Sequence, residues 1–465
     1  MAAAPSTSAR AVAARVLCQF SAKQAHVGPI LNRLLAQTEE KQRATDLVFG
    51  TIRNLRAIDA VVTTFSGRRI ERINKTLLAV IRVGVCELIY NPQSPPYSVV
   101  NEAVNTAKKT GGRKQTGFVN AVLRQVVRHI AERQVDLAAS HPMRTLVQTP
   151  LTGCAFDTDL LPDPDTDPAA YLSVSFSLPQ WLVEDWLGAF GLEQTRQICF
   201  GSNRRPSVYV RVNPLRTTGV ELAARFASAG VDVEAVAWDD DAPGPACEML
   251  KVRGPHAVPG LAGFAEGLFT VQDIAAARAV RLLDPQPDWR ILDLCAAPGT
   301  KAIQMAELTR DTARIVATDI AAKRLEMVRE NLARLGVSSV DVVSYAQCER
   351  EKAEPFDAVL LDVPCSNTGV LAKRIEVRYR ITPDSLRGLV ETQRGLLAKA
   401  ATLVKPGGRI CYSTCSIQRA EDRDVVGEFL GANKQFELAR EELILPSAEG
   451  FDCDGAYVAI LARTS

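Results

Sequence analysis

The chain has 465 residues, a formal charge of +2, and is 47% apolar and 23% charged. That is enough for two or three domains with separate cores. It excludes a disordered or fibrous protein, and no apolar run approaches the roughly 20 residues that cross a bilayer. The near-neutral charge means that any nucleic-acid contact must come from local patches rather than from the molecule's overall field. Eleven cysteines and four histidines, with no C-x-x-C pair, point to reduced cytosolic thiols, neither a disulfide framework nor a metal site.

The first acid is Glu39. Before it, Val12, Val16, Leu17 and Phe20 form a helical stripe, so the Ala- and Arg-rich start reads as a first helix rather than a transit peptide. Helical spacing continues through Leu47, Val48, Leu55, Ile58 and Val62, then Leu77, Val80, Ile81, Leu88 and Ile89, then Val119, Val122 and Val126. Breakers at Asn91-Pro92, Pro95-Pro96 and Gly111-Gly112 separate the helices. Residues 1–135 are therefore expected to be all-helical. From Ala103 to Ala131 there are six cations (Lys108, Lys109, Arg113, Lys114, Arg124 and Arg128) and no acid. Lys108 to Lys114 brackets the Gly-Gly turn, a place for phosphate contact.

Residues 136–170 alternate aspartate with proline (Asp157, Asp159, Asp163, Asp165 and Asp167; Pro162, Pro164 and Pro168) and read as a linker too polar to pack. Residues 171–275 mix helix (Trp181 to Phe190) and strand (Ser207 to Val212), a small α+β domain.

From 276 to 465 the pattern becomes strand, loop, helix, repeated. Ile291 to Leu294, Ile315 to Thr318, Val340 to Val343, Ala358 to Leu361 and Ile410 to Ser413 are short apolar runs. Helical stretches such as Leu325, Val328, Leu332 and Leu335 separate several of them. This predicts a doubly wound α/β domain with a parallel sheet covered on both faces. Ala456 to Ala462, after the turn pair Asp454-Gly455, would add an antiparallel strand.

Asp293 to Lys301 (DLCAAPGTK) follows the first of these strands and opens a helix. Its small residues let backbone N–H groups approach a ligand. Its single glycine is no G-x-G-x-x-G pyrophosphate cradle, which argues against a nicotinamide-dependent oxidoreductase and for a nucleoside. Asp319, about 20 residues later, is placed to accept from ribose hydroxyls. Asp362-Val363-Pro364-Cys365-Ser366 ends the fourth strand and Thr414-Cys415-Ser416 the fifth. In a parallel sheet both loops share the rim with the nucleoside loop, so two thiols and a carboxylate converge there.

DLCAAPGTK, LLDVPCSNTGV and YSTCS together resemble the motifs of the RNA cytosine-5 methyltransferase family, and most closely the bacterial Sun/Fmu type that modifies small-subunit ribosomal RNA. The resemblance covers almost the whole chain. Residues 1 to about 135 look like the helical RNA-binding domain of the NusB antitermination factor. Arg211-Val212-Asn213 and Val271-Gln272-Asp273 match segments that precede the catalytic core. The resemblance implies a Rossmann-like methyltransferase domain and S-adenosylmethionine as methyl donor. Cys295, Ala296, Ala297, Pro298, Gly299, Thr300 and Lys301 would contact the donor, and Asp319 its ribose. Asp362 would lie between donor and base, and Lys301 would also touch the cytosine.

By the same resemblance Cys415 is the nucleophile, and Cys365 helps break down the covalent adduct. DNA cytosine methyltransferases use the Pro-Cys cysteine instead; the second cysteine in TCS separates the cases. The chemistry needs a thiol because carbon 5 of cytosine is a poor nucleophile. Addition at carbon 6 makes it enamine-like, and a base must then take its proton. The target base must be presented unstacked; Tyr412 and Tyr379 are candidates to stack on it, with core packing the alternative. Lys373 and Arg374, with Arg378 and Arg380, would guide RNA, alongside Lys108, Lys109, Arg113 and Lys114. One departure stands out. A third cofactor-binding acid normally follows the third strand, where this chain has Val343-Ser344-Tyr345-Ala346. The expectation is a cytoplasmic, monomeric enzyme with RNA as partner and neither metal nor membrane. Methylation of a transfer RNA or another RNA, or a non-enzymatic RNA-binding role, are the alternatives.

Overall fold

Asn74 accepts from the Thr76 amide at 3.0 Å and starts a helix over Lys75–Tyr90, as capping by a short polar side chain requires. That helix ends at Asn91, just before Pro92, and the next begins with Pro96 at its first position, where a missing N–H costs nothing. In the computed structural model, which describes residues 7–21, 26–109, 112–238, 248–350 and 354–464, such signals divide the first stretch into α1 (Ala9–Gln19), α2 (Val27–Leu35), α3 (Lys41–Arg53), α4 (Leu55–Ser66), α5 (Lys75–Tyr90), α6 (Pro96–Lys108) and α7 (Arg113–His129). Gly111 of the expected turn and the Arg113 side chain lie outside the described residues.

The linker expectation fails. The end of the expected helical stretch and the chain read as an unpackable linker together form a three-stranded antiparallel sheet, β1 (Ile130–Asp136), β2 (Thr145–Val147) and β3 (Thr152–Phe156), in the order β1-β3-β2. The composition misleads because the aspartates have local jobs while a few apolar residues do the packing. Leu146, Cys154, Phe156, Leu160 and Leu161 enter the helical core. Asp157 and Asp159 pair with His129 and Arg144, and Asp167 caps α8 (Pro168–Ser175).

The chain forms two compact units. The first is Met1–Arg204 together with Leu371–Arg380; the second is Arg205–Val370 with Ile381–Ser465. The expected boundary at 171 therefore moves: α8 and α9 (Gln180–Asn203, broken at Gly191) stay with the first unit. In the segment 371–380, Ile375 is buried in the helical core and Glu376 accepts from the Val27 amide at 2.8 Å.

The second unit holds two sheets. β4 (Val208–Val212), β5 (Val233–Ala235), β6 (Met249–Val252) and β7 (Phe269–Val271) make an antiparallel sheet ordered β5-β6-β4-β7, with α10 (Gly219–Ser228) packed beside it. After α11 (Ile274–Leu283) come β8 (Arg290–Asp293), α12 (Thr300–Leu308), β9 (Arg314–Ala317), α13 (Ala322–Leu335), β10 (Val340–Val342), α14 (Tyr345–Arg350), β11 (Phe356–Asp362), α15 (Pro383–Leu403), β12 (Val404–Thr414), α16 (Arg423–Ala432), β13 (Phe436–Ile444) and β14 (Ala456–Arg463). Their seven strands run β10-β9-β8-β11-β12-β14-β13. The first five are mutually parallel; β14 runs antiparallel to both of its neighbours, β12 and β13, so it alone is reversed and β13 points the same way as the first five. Each face of the sheet has its own apolar cluster, as a doubly wound sheet demands. The chain winds outward from β8 through β9 to β10, then returns on the other side to β11. β8 therefore sits at the switch point, where such sheets bind ligands.

Two motifs of the small sheet fix the helix after the nucleoside loop. Arg211, fully buried, donates to Glu307 at 2.6 Å and to the Thr300 carbonyl at 3.4 Å. Gln272 donates to Gln304 at 2.9 Å. Both contacts end on α12.

Candidate active site

Asp293 closes β8, and the loop Leu294 to Gly299 returns the chain into α12. Gly299 has φ +99°, and a Cβ there would stand 3.0 Å from Val328 Cγ1. Glycine is required both by the left-handed backbone and by the closeness of α13. Asp319, just past β9, accepts from the Ala297 amide at 3.3 Å and the Ala321 amide at 3.0 Å. Arg324 pairs with it at 3.1 Å and also donates to the Ala297 carbonyl at 2.6 Å. The loop and the carboxylate thus hold one another in place. Beside Asp319, Ile320 is 86% exposed, an apolar surface next to a carboxylate, as the flat base and hydroxyls of a nucleoside require. These residues fit S-adenosylmethionine.

The two cysteines meet because of strand register. β11 and β12 are parallel neighbours with Asp362 opposite Ser413, so the turns that follow leave the sheet side by side. Cys365 Sγ lies 3.1 Å from Cys415 Sγ, and both thiols are free. The Cys415 thiol donates to Asn367 Oδ1 at 3.3 Å. Asn367, at φ +62°, donates in turn to the Cys365 carbonyl at 2.7 Å. Cys415 is partly exposed and Cys365 buried. Contact with the Cys415 sulfur, then burial, pushes the Cys365 thiol well above the ordinary thiol range.

Asp362 forms an ion pair with Lys301 and accepts from Ser413 Oγ at 3.1 Å, while Lys301 reaches Ser413 Oγ at 3.4 Å. Burial alone would lower the Lys301 ammonium; the Asp362 carboxylate outweighs it and holds the pKa above the usual lysine value. The lysine stays charged. Asp293 lies in the same group. It is buried, its Oδ1 lacks a hydrogen-bond partner, and burial followed by the Asp362 charge pushes its pKa up to about 7. Among the described residues no group of three or more His, Cys, Asp or Glu is arranged to hold a metal ion, and no helix is long and apolar enough to cross a membrane.

The second unit therefore assembles Cys295 to Lys301, Asp319, Asp362, Cys365 and Cys415 at the carboxyl ends of adjacent strands. Sequence reasoning missed Ser413, Asn367, Ile320 and Asp293 as members. Asp293 opens the motif, and Ile320 follows the ribose candidate, so position was the available signal for both.

The candidate RNA residues divide. Lys108, Lys109 and Lys114 are exposed, and so are Lys373 and Arg374, in the segment 371–380 of the first unit. Arg378 is not a surface residue. It is fully buried and donates to the carbonyls of Arg53, Phe176 and Ser202 at 2.9–3.0 Å and to Asn203 Oδ1 at 2.7 Å. Neither tyrosine is left to stack on a base: Tyr379 donates to the Ile52 carbonyl at 2.6 Å, and Tyr412 is buried, donating to the Glu421 carbonyl at 2.5 Å. Between α6 and α7 runs a groove of about 1210 Å³, with Val100, Val104 and Val127 along it and Lys108, Arg124 and Arg128 among its lining residues. Tyr97, also lining it, is 78% exposed.

Residues 280–456 match the 16S rRNA methyltransferase RsmB/F family, residues 7–128 the NusB family, and residues 178–242 the RsmF/B-like ferredoxin-like domain. The "Probable ribosomal RNA small subunit methyltransferase B" of Synechocystis sp. is 30% identical, over 98% of this chain and 96% of that protein. The ribosomal RNA small subunit methyltransferase B of Vibrio cholerae is also 30% identical, over 98% and 97%. The crystal structure of PH0851 shares the fold across 99% of this chain and 100% of that one, at 24% identity and a TM-score of 0.71. With these relatives matched from end to end and a nucleoside loop facing two thiols, the chain belongs to the ribosomal RNA small subunit methyltransferase B family of S-adenosylmethionine-dependent methyltransferases.

Proposed function

We propose that this chain methylates carbon 5 of a cytosine in small-subunit ribosomal RNA through a covalent bond between Cys415 and carbon 6. The observation that carries the reading is the 3.1 Å approach of the two thiols beside the Lys301–Asp362 pair. When bound by Cys295 to Lys301 and Asp319, S-adenosylmethionine supplies the electrophilic methyl group that carbon 5 takes up. Cys415 gives its proton to solvent and bonds carbon 6. The Lys301 ammonium, held charged by Asp362, offsets the negative charge that builds on the ring, and Asp362 is the acceptor for the ring's amino group.

Once the Cys415 sulfur is bonded to carbon, the contact that kept Cys365 protonated is gone. Cys365 then releases its proton to solvent and accepts the proton from carbon 5. The electron pair left behind restores the carbon 5–carbon 6 double bond and expels the Cys415 sulfur as a thiolate. The Cys415 thiolate then takes up a proton from solvent, so the resting state returns with a proton on each sulfur and one proton released overall.

RNA contact is assigned to Lys108, Lys109, Arg113 and Lys114 with the adjoining groove, and to Lys373 and Arg374. Support comes from the exposed cations and from the absence of acid between Ala103 and Ala131. On this reading the enzyme acts in the cytoplasm, where ribosomes are assembled, and as a monomer.

The test is methyl transfer to a small-subunit ribosomal RNA transcript, read together with protein–RNA adducts on a denaturing gel. Cys415→Ala is expected to give neither product nor adduct, and Cys365→Ala to accumulate the adduct. The reverse pattern would exchange the roles of the thiols.

A further inference from the structure

The turn after β12 carries a carboxylate for which the chemistry above has no use. Glu421 is fully buried, and its two oxygens accept four hydrogen bonds, all from uncharged donors. Oε1 accepts from the Ser366 amide at 2.8 Å and from Gln393 Nε2 at 3.0 Å. Oε2 accepts from Ser416 Oγ at 2.6 Å and from Ser366 Oγ. Ser366 and Ser416 are the residues immediately after Cys365 and Cys415. One side chain therefore ties together, one residue beyond each sulfur, two turns that leave different strands.

Other bonds run the same way. Ser416 Oγ lies 3.2 Å from Ser366 Oγ and 3.1 Å from Thr368 Oγ1, and the Gly369 amide donates to the Cys415 carbonyl at 3.0 Å. Gln393, which anchors Glu421 from α15, also donates to the Pro364 carbonyl at 3.0 Å. Sealing a carboxylate from water costs several kcal/mol, in order of magnitude, unless its lone pairs are filled. Here three of the four donors are the Ser366 amide and the two serine hydroxyls of the cysteine turns, and the fourth is Gln393 of α15.

We propose that Glu421 is a positioning residue for adduct resolution: it fixes the separation of the two sulfurs so that Cys365 reaches carbon 5 of the adduct that Cys415 has made. The inference rests on the two-thiol reading above. In the step concerned, the carbon 5 proton moves to Cys365, its electron pair forms the ring double bond, and the Cys415–carbon 6 bond breaks. Glu421 touches none of these atoms. A displacement of about 1 Å at such a site costs on the order of a hundredfold in rate.

The test compares Glu421→Ala, Glu421→Gln and Cys365→Ala in the full chain on the small-subunit transcript. Glu421→Ala is expected to lower kcat tenfold or more, to leave both KM values within twofold, and to accumulate the denaturation-stable adduct. Glu421→Gln is expected to restore kcat to within about threefold of the parent. Its carboxamide oxygen can take the two fixed N–H donors, while its amide donates to the two hydroxyls, which rotate to accept.

Wild-type kcat in Glu421→Ala overturns the inference. So does a loss without adduct when Cys365→Ala accumulates one in the same gel, or a Gln variant as slow as the Ala variant, since charge rather than geometry would then be at work. If Cys365→Ala itself accumulates no adduct, the two-thiol reading fails and takes the inference with it. Should Glu421→Ala not fold, Ser366→Ala decides: adduct with a threefold or greater fall in kcat supports the tie, and unchanged kcat overturns it.

Discussion

Asp293 carries the most consequential displaced pKa at the site. Burial first, then the Asp362 charge, raises its carboxyl to about 7, with Lys301 pulling the other way. Between the ordinary carboxylate range and that value the folded protein holds a proton that the unfolded chain has lost. Stability from this group is therefore present at low pH and lost as pH rises from about 4 to about 7, with a slope of up to about 1.4 kcal/mol per pH unit. Urea midpoints followed across that window should show the fall, and Asp293→Asn should flatten it; equal slopes in both proteins would refute the assignment. The thiols invite a second measurement. Cys365 is buried and held protonated by its neighbour, while Cys415 is partly exposed. Brief treatment with iodoacetamide near neutral pH, read by mass spectrometry, should modify Cys415 at least tenfold faster, because only thiolate reacts.

Strand and turn geometry govern the next scale. Gly369 sits where the backbones of Gly455 and Cys415 converge; a Cβ there would come 2.9 Å from the Cys415 carbonyl oxygen. Gly369→Ala should therefore displace the turn that carries Cys415 and lower kcat at least tenfold while S-adenosylmethionine affinity, measured by calorimetry, stays within twofold. Lysine and arginine along α6 and α7 make a different prediction. Replacing Lys108, Arg124 and Arg128 together by alanine should weaken RNA binding tenfold or more and reduce the slope of log affinity against log salt by about 2 to 3; an unchanged slope would remove this groove from the RNA path. The parallel strands were readable beforehand because Ile291, Ile315, Ala358 and Ile410 lie in apolar runs buried on both faces. β13 was not, since Glu437, Arg440, Glu441 and Glu442 give an edge strand no such run. β1 was read as the end of a helix, because Ile130 and Val135 fit either period. The cofactor and cysteine loops stood out because motif and strand end coincide. Glu421, Ser366 and Ser416 stayed hidden: a polar turn looks solvated until the neighbouring turn closes over it. Arg378 was misread for the opposite reason, since a cation in a basic run carries no local sign that its partners are carbonyls on distant helices.

Across the whole molecule, electrostatics and packing part company. A charge of +2 over 465 residues gives little long-range steering, so RNA affinity must come from patches and should fall steeply with salt. Stability depends instead on buried joints such as Arg378. Arg378→Leu would leave several carbonyls without a donor, at a cost on the order of 3 kcal/mol, visible as a lower melting temperature even though the residue is far along the chain from the helices it serves.

That joint also sets a timetable for synthesis. The N-terminal helices leave the ribosome early, yet the peptide that completes their core, Leu371–Arg380, emerges only after four of the seven strands of the methyltransferase sheet have been made. Nascent chains shorter than about 380 residues must carry a gap where Ile375 and Arg378 belong, so the domain translated first is finished late, and a fragment stopped at Arg204 inherits the same vacancy.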